Sequence, residues 1–235
     1  MRADLLLIAA LTLCGCDRGP SPEALLIEGS RTVTMDSAAM LGPHRYEATT
    51  VRQWADETRG SSETFELDWG DWDHFATRRL RDGRLRAELR VIDGVAYVRQ
   101  GDRFTRYDDA ELHRGELRST WSTWEQAMAP FAARLQLTEP EDAVVEGRPA
   151  TRYRVSLAEG DAPDGDQRPL SLSGTVTLDQ ATAVRLLAEI EGRYEEPGGR
   201  RSPPREREVR FSMTRSGFGT PPTLETPKHP RGGPR

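Results

Sequence analysis

Apolar and polar residues alternate along most of the chain, a pattern typical of strands with one buried and one solvated face. In the clearest run, Leu85, Ala87, Leu89 and Val91 alternate with charged residues. Asp82-Gly83 and Asp93-Gly94 bracket this run with two-residue turn signals. Similar runs predict strands at 44–51, 65–69, 75–79, 143–146, 152–157, 172–178, 184–190 and 209–213. The chain is therefore predicted to fold mainly as an antiparallel meander.

Two segments replace this alternation with helical spacing. Residues 23–40 follow Ser21-Pro22, a helix-start signal, and predict a helix over their first half. Residues 110–137, which we call the lid, have apolar residues three and four positions apart, and Pro130 predicts a kink or break there. The large apolar residues on this predicted helix face are Trp121, Trp124, Met128 and Phe131. This stripe fits either a ligand cavity wall or ordinary core packing, the commoner use of such a stripe.

These elements indicate one domain, assigned to residues 23–226. We predict a mainly β fold of about ten antiparallel strands in meander order, with inserted helices. One face of nearly every strand is apolar and must be covered, and the lid is the candidate cover. Residues 159–169 and 195–205 are polar or Pro/Gly-rich loops. Residues 227–235 (PKHPRGGPR) are predicted to be a disordered tail.

The amino terminus has the features of a signal peptide, assigned to residues 1–15. The apolar run 5–13 is too short to cross about 30 Å of hydrocarbon as a helix. It ends in Leu13-Cys14-Gly15-Cys16, which resembles the bacterial lipoprotein box. Cys16 is the expected acylation site because Gly15 places a small residue at the cleavage point. The alternative is a plain secreted protein in which the two cysteines are incidental.

Acylation of Cys16 would tether the chain to a membrane through its N-terminal acyl chains, with residues 16–22 as a polar tether. The resemblance to bacterial lipoproteins implies a location in the cell envelope, facing the periplasm. Asp17, directly after the cysteine, resembles an inner-membrane retention signal and favours the inner over the outer membrane.

Composition excludes several classes of function. The 235 residues carry 33 Lys+Arg and 38 Asp+Glu, a net charge of -5, which disfavours a nucleic-acid partner. Both cysteines precede residue 17, so the predicted domain has neither disulfides nor thiol chemistry. The four histidines lack metal-binding spacing, and no nucleophile or phosphate-binding motif is present. We therefore expect no cofactor and no enzymatic activity.

Two charged clusters could bind a ligand, but each also fits an ordinary solvated surface. Asp68, Asp71, Asp73 and His74 offer cation ligands, but their order does not match a calcium loop, and a solvated hairpin is the preferred interpretation. Arg84, Arg86 and Arg90 share one strand face, as do Arg152 and Arg154. Such arginines suit lipid phosphates, but a solvated face with acids such as Glu88 interspersed is the commoner arrangement.

Several short motifs resemble the lipoprotein carrier superfamily that includes LolA, LolB and the LppX/LprG-like lipid-binding lipoproteins. They are the hairpin AELRVIDGVAYV at 87–98, Val145-Glu146-Gly147 leading into Tyr153-Arg154-Val155, GTVTLD at 174–179, and SGFG at 216–219. The resemblance covers roughly residues 46–227. It implies a half-open antiparallel β-barrel wrapped around a helical lid, with an apolar cavity between them.

The resemblance also implies a lipophilic ligand, a lipid or acyl chain, bound between sheet and lid. The alternative is a non-carrier envelope sensor or scaffold that uses the same fold for an unidentified protein partner. A solid core between sheet and lid would favour the alternative, and a continuous apolar cavity would favour the carrier. The candidate cavity residues are Leu89, Val91, Tyr97, Trp121, Trp124, Met128, Phe131, Tyr153, Val155, Leu186, Ile190 and Phe211.

Overall fold

Twelve strands form a single sheet in the computed structural model, which describes residues 38–114, 117, 123–160, 167–198 and 203–232. The predicted signal peptide, the tether, Cys16 and the helix in the first half of 23–40 lie outside these residues. The strands are β1 (His44–Trp54), β2 (Ser61–Asp71), β3 (His74–Arg81), β4 (Arg84–Ile92), β5 (Val95–Gln100), β6 (Arg103–Tyr107), β7 (Leu135–Val145), β8 (Arg148–Leu157), β9 (Arg168–Asp179), β10 (Arg185–Glu196), β11 (Arg205–Ser216) and β12 (Arg231–Gly232).

Two meanders make up the sheet, in the order β12-β6-β5-β4-β3-β2-β1-β11-β10-β9-β8-β7. They join where β1 pairs with β11, an antiparallel contact from Arg45↔Ser216 to Trp54↔Arg207. The end strands β7 and β12 do not pair with each other, so the sheet is open. The predicted class, mainly β with a half-open antiparallel sheet, is confirmed.

The tight turns lie where two-residue turn signals predicted them. Asp82-Gly83 and Asp93-Gly94 all have φ between 51° and 74°, as hairpin turns with both central residues left-handed require. The turn between β7 and β8 is of the same kind. Its left-handed residues are Glu146 and Gly147, because β8 already begins at Arg148.

Strand register defines the two faces of the sheet, since directly paired residues point to the same side. Tyr46 pairs with Leu67 in β2 and with Arg215 in β11. We call the side that carries these residues the inner face. It holds most of a continuous buried core, whereas Arg45 and Glu47 lie on the opposite, outer face.

The lid ends earlier in the chain than predicted. Its described helical pieces are a 3₁₀ turn at Glu111–His113, the α-helix α1 (Thr123–Met128), and a second 3₁₀ turn at Ala129–Phe131. Pro130 lies in that second turn, in agreement with the predicted break. The prediction that the lid extends to residue 137 is wrong, because Leu135 already pairs with Leu157 in the β7–β8 ladder.

Several boundaries differ from the predicted ones because pairing with neighbouring strands extends them into polar sequence. β7 has 11 residues and takes in the charged stretch before 143–146. β9 begins at Arg168 and β10 extends to Glu196, which shortens both predicted loops. In the predicted disordered tail, Pro227 is buried, and β12 pairs in parallel with Thr105 and Arg106 of β6. No helix among the described residues is long and apolar enough to cross a bilayer.

Candidate functional site

The inner face and the underside of the lid bring together most of the predicted cavity residues. Ten of the twelve are buried members of one apolar core cluster. β4, β8, β10 and β11 supply seven of them, and α1 with its following turn supplies three. These residues are Leu89, Val91, Trp124, Met128, Phe131, Tyr153, Val155, Leu186, Ile190 and Phe211. The sequence pattern therefore identified the floor and the cover of a single apolar region.

Of the other two predicted cavity residues, one is not described by the structure and one lies on the outer face. Trp121 is outside the described residues. Tyr97 was wrongly assigned to the cavity: it pairs with Arg90, while Leu89 and Val91 pair with its neighbours Val98 and Ala96. Tyr97 therefore lies on the outer face. Alternation could not decide this point because residues 95–98 (VAYV) are apolar on both faces.

Aromatic side chains pack the described part of the lid against the inner face. The Trp124 ring meets the Phe211 ring edge-on at 5.7 Å between centroids. Phe131 meets Tyr194 in the same manner at 5.8 Å. Phe131 also lies directly above Gly192, since a Cβ atom placed on that glycine would come within 2.6 Å of Phe131 Cζ. Gly192 thus provides the space that the Phe131 ring fills.

A buried ion pair joins α1 to the start of β10. Arg185, only 7% exposed, donates from Nη2 to Oε1 of Glu125 at 3.0 Å. Its guanidinium also lies 5.0 Å from the centroid of the Trp124 ring. The second carboxylate oxygen of Glu125 is buried without a hydrogen-bond partner among the described residues. The lid is therefore held by charge as well as by apolar contact.

Arg215 and His44 form a second buried polar contact beside this ion pair. The neutral His44 ring donates from Nδ1 to Gly42 O at 2.8 Å and accepts from Arg215 Nη1 at 2.7 Å through Nε2. Burial and the charges of Arg215 and Arg148 together lower the pKa of His44 to about 3, although the hydrogen bond to Gly42 opposes them. Burial also lowers the pKa of Arg215 to about 9, although the Tyr46 hydroxyl opposes this and Arg185 reinforces it.

Tyr46 connects this polar cluster to the lid. Its hydroxyl hydrogen-bonds the hydroxyl of Thr123, the first residue of α1. The Arg215 guanidinium stacks over the Tyr46 ring at 4.6 Å from its centroid. Burial raises the pKa of the Tyr46 hydroxyl. At neutral pH this group is therefore uncharged and anchors α1 as a neutral hydrogen-bonding partner.

Sequence reasoning missed the polar members of the site. Arg185, Glu125, Arg215 and His44 have no distinctive spacing, and arginine occurs at many outward-facing positions of the same strands. Gly192 did carry a usable signal. A glycine inside a strand pattern often marks the close approach of another group, and it interrupts the run EIEGRYEE.

The outer face carries the charged clusters that the sequence singled out. Asp68 forms ion pairs with Arg78 at 2.9 Å and Arg45 at 3.5 Å. Asp71 accepts the backbone N–H of Asp73. Across the described residues no group of three or more His, Cys, Asp or Glu is arranged to hold a metal. These contacts agree with the preferred interpretation of a solvated hairpin.

The predicted arginine face is interrupted by acids. Glu88 is buried and bridges Arg90 at 2.7 Å and Arg99 at 3.2 Å. Arg90 also donates to the backbone carbonyl of Glu225, so the C-terminal segment passes over this part of the sheet. In β8, Arg154 pairs with Glu139. Arg84, Arg86 and Arg152 are exposed, with no ion pair among the described residues.

Two clefts lie away from the lid. One, of about 410 Å³, runs along the outer face between charged residues of β1, β2 and β3, including Arg45, Glu66 and Arg78. The other, of about 300 Å³, is at the loop between β1 and β2, where Trp54 contacts the guanidinium of Arg207 at 3.9 Å. Both are lined mainly by polar groups and neither suits a lipid chain.

No protein-family model and no curated protein matches the sequence. LprF from Mycobacterium bovis is 12% identical, with 86% of this chain aligned to 98% of that chain at a TM-score of 0.35. The MucA/MucB complex from Pseudomonas aeruginosa is 16% identical, over 82% and 58% of the chains, with a TM-score of 0.30. A LolA superfamily protein from Nitrosomonas europaea is 8% identical, over 83% and 94%, with a TM-score of 0.28.

None of these three proteins is named as an enzyme. The solved structures include proteins of the kind that the sequence motifs resemble. The chain is similar to LprF, to the Mycobacterium tuberculosis lipoprotein LppX and to a LolA superfamily protein.

Proposed function

We propose that this chain is a membrane-anchored envelope lipoprotein that binds a lipophilic ligand, a lipid or an acyl chain, between its curved sheet and its lid. The observation that carries the proposal is that the lid contacts the sheet through large apolar side chains. Three large side chains of the described lid, those of Trp124, Met128 and Phe131, are buried against an inner face whose apolar residues extend from β4 to β8. Displacing the lid would uncover a continuous apolar surface.

The lid is built to depend on that contact. α1 has six residues, and an isolated helix of that length is not stable in water. Its position therefore relies on Trp124 beside Phe211, Phe131 above Gly192, and the Arg185–Glu125 ion pair. An acyl chain can replace apolar side chains on the same floor. Each Å² of apolar surface that the ligand covers stabilises the complex by about 25 cal/mol. Binding of this kind needs no catalytic group.

Ligand binding is tested on the unacylated mature chain, residues 16–235 with Cys16→Ser, which keeps every described residue. Native mass spectrometry and titration with a fluorescent fatty acid are expected to detect one bound lipid. Met128→Lys places a charge under the lid and is expected to abolish binding, while Gln126→Lys on the exposed side of α1 serves as its control. A wild-type chain that folds but binds no lipid in either assay would refute the proposal.

The anchor is tested separately. In cells that process bacterial lipoproteins, the wild-type chain is expected to incorporate an alkyne-tagged palmitate and to fractionate with membranes. Cys16→Ser is expected to lose both properties, and Cys14→Ser is the matched control that retains them. Incorporation that survives Cys16→Ser would contradict acylation at this residue without bearing on the ligand.

The alternative function, a sensor or scaffold that binds a protein partner, is favoured by one specific observation. The Trp124 and Phe131 rings of the lid already cover the part of the inner face that lies beneath them. A protein of this kind needs no lid movement. Crosslinking α1 to β10 would then leave its interactions intact, whereas the same crosslink would block a ligand-binding protein.

A further inference from the structure

The Arg185–Glu125 contact places opposite charges on the two bodies that must separate for a ligand to enter. Arg185 belongs to the floor, at the first residue of β10, and Glu125 belongs to α1. Among the described residues, Glu125 is the one carboxylate within ion-pair distance of Arg185. A guanidinium that is only 7% exposed depends strongly on such a counter-charge. Displacing the lid would remove it.

Trp124 and Glu125 are neighbours in α1 and occupy two different environments side by side. The Trp124 ring lies on the apolar floor against Phe211, with centroids 5.7 Å apart. The Glu125 carboxylate lies on the Arg185 guanidinium at 3.0 Å. One apolar group and one anionic group, joined covalently, thus fill adjoining positions of the floor. An amphiphile with an anionic head has the same arrangement.

From this arrangement we infer that the ligand of the inner face carries an anionic headgroup, a carboxylate or a phosphate, which replaces the Glu125 carboxylate on Arg185 while its chain replaces the Trp124 ring. This inference rests on the proposed function and specifies its ligand class. Arg185 suits the role because a guanidinium binds the oxygens of carboxylates and phosphates alike. The buried second positive charge of Arg215, close by, favours an anion further.

The test compares three probes that share a sixteen-carbon chain: palmitate, hexadecyl phosphate and hexadecanol. Their dissociation constants are measured by displacement of a fluorescent fatty acid from the unacylated mature chain. The two anionic probes are expected to bind about tenfold or more tightly than hexadecanol, the size of effect that a charge-assisted hydrogen bond gives. The ratio of palmitate to hexadecyl phosphate then identifies the preferred headgroup.

Two variants locate the effect on the ion pair. Arg185→Gln is expected to lower the affinity for both anionic probes to that for hexadecanol and to leave hexadecanol unchanged. Glu125→Gln removes the competing carboxylate and is expected to raise the affinity for the anionic probes several-fold, so the test survives if Arg185→Gln does not fold. Arg78→Gln, which removes a guanidinium from the outer face, is expected to change none of the three constants.

The outcomes separate the two proposals. Equal binding of all three probes, or a preference that persists in Arg185→Gln, overturns the headgroup assignment and leaves lipid binding intact. A decrease of anion affinity in Glu125→Gln overturns it as well. If none of the three probes binds to the folded wild-type chain, the proposed function itself fails.

Discussion

The inner and outer faces of the sheet use the same residue type, arginine, in opposite ways. On the outer face Arg78 is paired with Glu66 and Asp68 while its side chain remains 42% exposed. On the inner face Arg185 and Arg215 are buried and contact groups of the lid and the core. The sequence alternation does not distinguish these arginines. Their environments differ because of what covers each face.

This difference has a direct energetic consequence. An exposed ion pair contributes about 0–1 kcal/mol because water solvates both partners when they separate. A buried group that loses its partner keeps its desolvation cost, which is about 1–3 kcal/mol or more for a charge. We therefore expect substitutions on the inner face to be severe and those on the outer face to be mild. The following variants test this contrast in order of expected effect.

The largest effect is expected for Phe211→Ala on the inner face. This substitution removes a ring buried beneath Trp124, and we expect the free energy of unfolding to fall by about 3–5 kcal/mol. Thr214→Ala, on the outer face of the same strand, is expected to stay within about 0.5 kcal/mol of wild type. Urea denaturation monitored by circular dichroism gives both values. Similar losses in the two variants would contradict the assignment of faces.

A pH-dependent effect is expected from His44. The unfolded chain binds a proton at this residue below its ordinary pKa of 6.5, whereas the folded chain does so only near its pKa of about 3. Between these values the unfolded state holds more protons, so the stability decreases as the pH falls. We expect a loss of about 1–2 kcal/mol between pH 7 and pH 5.

His44→Gln is expected to flatten this slope, since glutamine does not titrate. His229→Gln, which removes an exposed imidazole in the C-terminal segment, serves as the control and should keep the wild-type slope. Denaturation curves at pH 5, 6 and 7 provide the comparison. Parallel slopes for wild type and His44→Gln would show that another group governs this range.

A more local effect is expected from Gly192→Ala. The added methyl would meet the end of the Phe131 ring, and the backbone of Gly192 is not in the left-handed region, so the substitution should displace the lid with little strain in the sheet. We expect overpacking at this contact to cost about 1 kcal/mol, because the short lid can shift to relieve it. Faster hydrogen exchange confined to residues 123–131 would report it.

Glu191→Ala, one residue earlier on the exposed side of β10, is the control for Gly192→Ala. It is expected to leave exchange in α1 unchanged. Faster exchange throughout β9, β10 and β11 in Gly192→Ala would instead mean that the glycine supports the sheet and not the seating of the lid.

The smallest effect is expected for Glu66→Gln on the outer face. This carboxylate pairs with Arg78 at 2.9 Å, but Arg78 keeps a second partner, Asp68, at the same distance. We expect less than about 0.5 kcal/mol of destabilisation by thermal or urea unfolding. A loss comparable to that of Phe211→Ala would show that exposed pairs on this face matter as much as the core.

Much of the fold and part of the site could be predicted from local pattern. The Asp82-Gly83 and Asp93-Gly94 turns need only residues that tolerate positive φ, so each turn could be predicted from its two residues alone. Leu89 and Val91 were assigned to the core because their strand alternates cleanly. The assignment of Tyr97 was wrong because its strand is apolar on both faces, so alternation could not show which face is buried. The polar site residues Arg185 and Glu125 could not be paired, since 60 residues separate them.

By itself, the sequence determined the strands, their turns and, in most strands, which residues face the core, because these follow from interactions between residues close in the chain. Only the tertiary structure decided that β1 pairs with β11, that the Phe131 ring packs over Gly192, and that Glu125 forms an ion pair with Arg185. Each of these joins residues that are distant in sequence, and each depends on the whole sheet having curved beneath the lid. The candidate site is made of such contacts.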